Sequence, residues 1–250
     1  MSIARAFSTC ALFLGIVSLT VAAVLFGRAG ASWARQDASV ERLQAYVAKE
    51  TEHEPPQVDW EGLRSVNADV IGWIDIPGTV VSYPVYQGDT NTDYLRTAAD
   101  GSYAVGGQVF LDAMNTAPGM VDHQSILYGH HLYNGTMFKT VADMENQRMF
   151  DSIDTVFYLT PERTYELEPL MLYRTTPATE DLRCFEFPTN GAFQDYLAER
   201  LGEAVAMSAD AEEKIQTTYH ALTLVTCNYR EDSGRTALVC VPKADELKVL

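Results

Sequence analysis

Two short stretches of the 250-residue chain carry side chains whose types and spacing suit nucleophilic chemistry. The first is Tyr219–Arg235, YHALTLVTCNYREDSGR. Its segment Leu222–Thr226 is apolar and β-branched and reads as a strand. On strand alternation Ala221, Thr223, Val225 and Cys227 share one face, and Leu222, Leu224 and Thr226 share the other. Cys227 falls where that strand gives way to Asn228, Asp232, Ser233 and Gly234, all residues that favour turns. Arg235 opens the next strand, so a hairpin sets a guanidinium beside the thiol. An electropositive, partly exposed setting draws a thiol pKa down from about 8.5 and makes it a nucleophile. The plain alternative is a small buried cysteine with a cation on its rim. Arg230 reads as a turn cation, with a second guanidinium backing Arg235 as the alternative.

The second stretch is Ser125–Val141, SILYGHHLYNGTMFKTV. An apolar strand ends at Tyr128, Gly129 turns the chain, and His130 and His131 follow. Asn134-Gly135 marks another tight turn. A histidine on a loop at the carboxyl end of a strand can meet a second loop and move a proton there; a satisfied surface or core histidine is the simpler reading. A zinc set of His123, His130, His131 and Cys227 fits no standard ligand spacing. The cysteines Cys10, Cys184, Cys227 and Cys240 form no CxxC pair, so no metal and no cofactor is expected. Cys184 and Cys240 read as core residues, with a disulfide between them as the alternative. Asp112 reads as a turn cap, with support of the site as the alternative.

The elements that must position these residues are legible in outline. Eight short β-branched or aromatic runs stand between Gly, Pro, Asn and Asp: Val70–Ile76, Val80–Tyr86, Gly107–Leu111, Ser125–Tyr128, Thr155–Leu159, Thr164–Thr175, Tyr219–Thr226 and Thr236–Val241. They predict a mainly β fold, a largely antiparallel sheet closed into a barrel. Helical spacing predicts a short helix near Thr136–Val141 and a long one over Gly191–Ser208, with Phe193, Tyr196, Leu197, Leu201 and Val205 on one face. Val40, Leu43, Tyr46 and Val47 mark a helix ended by Pro55 and Pro56. A further turn or two follows Asp59, an N-cap residue.

Composition narrows the classes. Apolar residues make up 47% and charged residues 21%, ordinary for a folded globule. The net charge is −16, and residues 37–250 carry −19, because Arg5, Arg28 and Arg35 are the only charged side chains before them. Such an acidic body repels phosphate backbones, so no nucleic acid is expected as a partner. Ala6–Phe26 holds 21 residues without a charge. As a helix this run would span about 30 Å, the thickness of a bilayer's hydrocarbon core. It reads as an uncleaved signal anchor, with a cleaved signal peptide as the alternative.

Taken together these residues resemble the sortases. Thr223–Cys227, TLVTC, is similar to the TLxTC signature of that family, with Arg235 eight residues downstream. Tyr128-Gly129-His130 is similar to the sortase histidine motif, 97 residues upstream of Cys227. Asn67–Gln87, NADVIGWIDIPGTVVSYPVYQ, resembles the opening of class B sortases, as does Gly107–Asn115, GQVFLDAMN, after Asp93-Tyr94-Leu95. His131 stands where class B members often carry Asn, and alignment puts the family's histidine at His130. The resemblance covers about Glu61–Pro242 and the N-terminal run.

The resemblance implies an eight-stranded sortase-type β-barrel with N-terminal helices and a long helix before the cysteine strand. It divides the chain into a cytoplasmic N-terminus (1–5), a transmembrane signal anchor (6–26), a juxtamembrane helical linker (27–60) and a catalytic domain (61–250). It places the protein in the cell membrane as a single-pass protein with its catalytic domain outside. The implied activity is that of a cysteine transpeptidase. Cys227 would attack a sorting peptide at the C-terminus of a surface protein, Arg235 would stabilise the oxyanion, His130 would move the proton, and Thr226 would contact substrate. The acyl group would pass to an amine of a peptidoglycan precursor or a pilin lysine. The alternatives are an anchored cysteine hydrolase and a non-enzymatic surface binding module.

Overall fold

The computed structural model describes residues 3–51, 53–176, 180–227 and 234–243; the Cys227 side chain is not among the described atoms. Asn228–Ser233, the expected turn with Arg230 in it, lies outside the described residues.

All eight expected runs form strands: β3 (Val70–Asp75), β4 (Ser82–Tyr86), β5 (Val109–Leu111), β6 (Gln124–Tyr128), β7 (Val156–Leu159), β8 (Thr164–Thr175), β10 (Ala221–Cys227) and β11 (Arg235–Pro242). They pair in the order β11-β10-β6-β5-β4-β3-β7-β8, and β8 pairs back to β11. The result is an eight-stranded mixed barrel. Two of its pairings are parallel, β4 with β5 and β6 with β10. Closure removes the open edges at which a sheet would recruit other chains. A two-residue ribbon, β1 (Val47–Ala48) with β2 (Gln57–Val58), stands apart from the barrel, and β9 (Ala204–Met207) adds to β8.

Alternation along each strand separates the barrel interior from two outer layers. Leu222, Leu224 and Leu238 point inward, where they pack with Ile74, Val85, Leu111, Leu127 and Leu172. The opposite face of β10 and β11 offers Ala221, Val225, Ala237 and Val239 to Phe193 and Leu197 of α5 (Asn190–Leu201) and Ile215 of α6 (Ala211–Thr217). On the far side Trp73, Tyr86, Phe110 and Phe157 pack against Leu43 of α1 (Ile3–Gln44) and Leu63 of α2 (Trp60–Val66). The Asp59 carboxylate caps α2 by accepting from Gly62 N at 2.9 Å. Two short helices, α3 (Lys139–Asp143) and α4 (Gln147–Asp151), follow the histidine loop.

The N-terminal region departs from expectation. Among the described residues no helix is long and apolar enough to cross a membrane. Residues 6–26 belong to the single helix α1, 42 residues long. Within it the Thr20 hydroxyl donates to Ile16 O at 2.8 Å. The helix continues into a charged half, where Gln36 Nε2 donates to Gly107 O at 3.3 Å. This overturns the expected transmembrane anchor, the single-pass placement in the cell membrane and the membrane as a partner through this helix. The helix also ends at Gln44 rather than at Pro55, because Val47 and Ala48 extend to pair with β2.

The helix expected over Gly191–Ser208 stops at Leu201, with its cap at Gly202. Val205 instead lies on β9, whose backbone pairs with Met171–Tyr173 of β8. An available strand edge overrides local preference here, since Ala204, Ala206 and Met207 are good helix formers.

Leu224 fills the barrel directly behind the cysteine end of β10. Leu224→Ala is expected to cost about 2–5 kcal/mol of stability, the range for emptying a closed core, read as a lowered midpoint in urea unfolding with an unchanged slope.

Candidate active site

Strand register brings the three chemistry-bearing positions to one end of the barrel. β6 and β10 run parallel, with Tyr128 beside Val225 as the last paired residues. The ladder extends one step further, where Gly129 N donates to Val225 O at 3.1 Å. His130 and Cys227 therefore each lie two residues beyond the same rung. β11 runs antiparallel to β10 and sets Arg235 directly opposite Cys227. Opposed residues of such a pair lie about 5 Å apart, Cα to Cα.

The histidine loop is fixed on three sides. Gly129 packs against the Phe138 ring, and a Cβ there would stand 2.6 Å from it, so only glycine fits. Phe138 N donates to His130 O at 2.8 Å. His130 Nε2 lies 2.8 Å from Leu95 O. A carbonyl oxygen only accepts, so Nε2 carries the proton and Nδ1 is the acceptor of the neutral ring. Burial pushes the His130 pKa below its ordinary 6.5; the Leu95 carbonyl opposes this, and the nearby Arg96 and Arg235 guanidinium groups reinforce it.

His130, Thr226 and Arg235 line one cleft of about 270 Å³, walled by Leu95, Phe110, Leu182 and Arg183. The backbone of Cys227 ends the strand that forms its floor. Arg235 is half-buried, and its Nη1 donates to Gly234 O at 3.1 Å. Thr226 is 2% exposed, and its hydroxyl has no hydrogen-bond partner among the described residues. A buried, unsatisfied hydroxyl is costly, and a group entering the cleft would relieve it.

His131 lies on the same loop, bridged to Met137 rather than lining the cleft. His123 precedes β6 at its opposite end, with the whole strand, about 16 Å long, between it and the His130 loop, and Glu186 and Asn190 engage its ring nitrogens. These histidines therefore do not converge on one ion. Cys184 and Cys240 are unbridged; Cys240 sits in the barrel interior, where burial pushes its thiol far up.

Sequence reasoning missed the cleft walls. Asp112 turns out to fill both roles weighed for it. Its Oδ1 accepts from Met114 N in the turn, while its carboxylate takes a two-pronged bond from Arg183 and single bonds from Asn91 and Tyr128. Burial alone would raise its pKa, but these donors outweigh burial and hold it below the ordinary carboxylate value. Arg183 lies 71 positions from Asp112 in a segment without periodicity, and no local signal announces the pair.

A barrel that brings a loop imidazole and a guanidinium into one cleft, beside the end of a cysteine-bearing strand, is an arrangement of the sortase type. The sortase domain family model matches residues 74–243. The sortase B of Staphylococcus aureus (strain NCTC 8325 / PS 47) is 30% identical over 201 residues, 80% of each chain. A crystal structure of Staphylococcus aureus sortase B aligns with a TM-score of 0.68 at 29% identity, covering 83% of this chain and 96% of that one. A Staphylococcus aureus sortase B–substrate complex aligns with a TM-score of 0.65 at 30% identity, covering 73% and 83%. The chain belongs to the class B sortases, a family of cysteine transpeptidases.

The His130 environment sets the sign of a pH effect. Its folded pKa lies below the unfolded value, so its contribution to stability is lost as pH falls below 6.5 and the unfolded chain takes up the proton first. In a ring-nitrogen NMR titration the His130 midpoint is expected below 6.5. It is expected to move up in Arg235→Ala; a midpoint at or above the ordinary value would contradict the geometry.

Proposed function

We propose that Cys227, His130 and Arg235 carry out peptide acyl transfer in this cleft, and that the acyl donor is a C-terminal sorting motif of a surface protein. The convergence of the two strand ends and the histidine loop carries the reading. The alignment with a sortase B–substrate complex supports the substrate class.

In the first half-reaction the Cys227 thiol gives its proton to His130 Nδ1 as its sulfur attacks the scissile carbonyl. Negative charge gathers on the carbonyl oxygen, and the Arg235 guanidinium, always charged and rich in donors, stabilises it. The C–N bond breaks, the imidazolium returns its proton to the leaving amine, and a thioester remains. In the second half-reaction an amine attacks the thioester carbonyl. His130 takes its proton, the C–S bond breaks, and a new amide forms with the thiol restored. An amine of a cell-wall precursor or a pilin lysine fits this second step. The Thr226 hydroxyl holds the bound peptide.

Hydrolysis shares every step except the final nucleophile. Product analysis on sorting peptides with and without added amine separates the two: transfer diverts product from acid to amide.

Cys227→Ala is expected to abolish peptide cleavage. Arg235→Ala should lower kcat/KM by about 10²–10³, the loss seen when an oxyanion donor is removed. His130→Ala should lower it by about 10²–10⁴, while His131→Ala retains activity. Full activity in the Cys227 variant would refute the reading. Thr226→Val removes an unsatisfied hydroxyl without changing shape, so stability should hold within about 0.5 kcal/mol while KM for the peptide rises.

A further inference from the structure

Arg183 is held more firmly than a groove-lining arginine needs to be. Its Nε and Nη2 donate at 2.8 Å each to the two oxygens of Asp112. The Asp112 side chain is fully buried, whereas that of Arg183 is 43% exposed. The guanidinium also lies 5.6 Å from the centre of the Phe185 ring. The segment that carries it is tied to β6. Gln124 Nε2 donates to Leu182 O at 2.9 Å and Cys184 O at 2.8 Å, and Gln124 N donates to Phe185 O at 3.1 Å. The Gln124 amide oxygen is in turn held by the Thr223 hydroxyl at 2.9 Å, so the anchor reaches the cysteine strand itself.

A guanidinium has five N–H donors. Asp112 engages Nε and Nη2, which leaves the Nη1 donors uncommitted to the carboxylate at a position lining the cleft. Asp112 also cancels the charge. A second carboxylate would compete with it inside a chain already at −16, so the fitting acceptor is a neutral carbonyl oxygen.

We propose that Arg183, oriented by Asp112, is a specificity-determining residue that donates from Nη1 to a neutral carbonyl oxygen, backbone or side-chain amide, of the acyl-donor peptide. This rests on the cleft being the peptide site. Because the fork is already fixed by the ion pair and the Phe185 face, little conformational freedom is lost when the peptide binds. Asp112 is a positioning residue that acts through Arg183.

Binding measured without turnover tests this independently of the chemistry. In a Cys227→Ala background, a bead library of N-acetylated, C-amidated hexapeptides is selected for binding, and Kd is measured for the selected peptide. Removing Arg183 alone strands a buried carboxylate and threatens the fold, so the decisive variant is Arg183→Leu combined with Asp112→Asn, checked by its melting temperature. Kd is expected to rise by about tenfold or more, the value of a charged hydrogen bond, with Arg183→Lys falling between. In the active enzyme KM should rise by the same factor while kcat stays within about twofold. A folded double variant with unchanged Kd, a loss confined to kcat, or a library that yields no binder would each overturn the proposal. If a peptide binds in an Arg183-dependent way but the wild-type chain never cleaves it, the assignment of Arg183 stands and the transpeptidation chemistry falls.

Discussion

The parallel pairing of β6 with β10 is the constraint on which the site depends. Two parallel neighbours leave the sheet at the same end, so residues placed equally far beyond their last rung stay level. His130 and Cys227 meet that condition relative to Tyr128 and Val225. Antiparallel β11 then returns Arg235 to the same height. The register is held by burial, because Leu222 and Leu224 must face the barrel interior with Leu127 and Leu238. A slip of one residue would turn those leucines outward and move Cys227 off the level of Arg235. The levelling of positions 130, 227 and 235 is thus a by-product of packing the barrel core.

A parallel pair also requires a long crossover, and here the chain between the two strands carries α3, α4, β7, β8, α5, β9 and α6. That connection would leave a loose wall beside the cleft unless something fastened it. The fastening is polar and local. Gln124 sits on β6 and binds backbone carbonyls of the returning segment, and Asp112, just past β5, binds Arg183 from the same segment. Tyr128 belongs to both systems, since it ends the parallel ladder and donates to Asp112 at 2.9 Å. Hydrophobic burial fixes the strand register, whereas buried hydrogen bonds, each partner satisfied, fix the wall. The second mechanism is directional, which is what a binding surface needs.

The strands were readable because each is bounded by turn residues and fills with β-branched or aromatic side chains; the eight runs of the barrel all formed. The positions of Cys227, His130 and Arg235 at element ends were readable for the same reason, and the motif around Cys227 supplied the rest. What was not readable is what distant partners decide. Val205 looks helical until β8 offers it an edge, and α4 and α6 are too short to show a period. Leu95 orients His130 through a backbone carbonyl, which leaves no trace in residue type. Residues 6–26 misled for the opposite reason: a run without charges satisfies a length rule, but it is one part of a 42-residue helix that runs on into a polar half.

The electrostatics of His130 show which distance scale governs this site. A chain at −16 should, taken as a whole, favour protonated histidine. The opposite holds at His130, where burial and the neighbouring Arg96 and Arg235 depress the pKa. Surface carboxylates are screened beyond about 8–10 Å of saline, whereas desolvation and the nearby guanidinium groups act through a medium that screens far less. The local effect therefore wins. Its chemical consequence is an imidazole that favours the neutral form, with Nε2 committed to Leu95 and Nδ1 left to accept. A resting imidazolium would have no lone pair to take a proton from sulfur or from an incoming amine. In the proposed mechanism the arginine that stabilises charge on the substrate thus also keeps the histidine able to act as base, which ties two functions to a single cation at the start of β11.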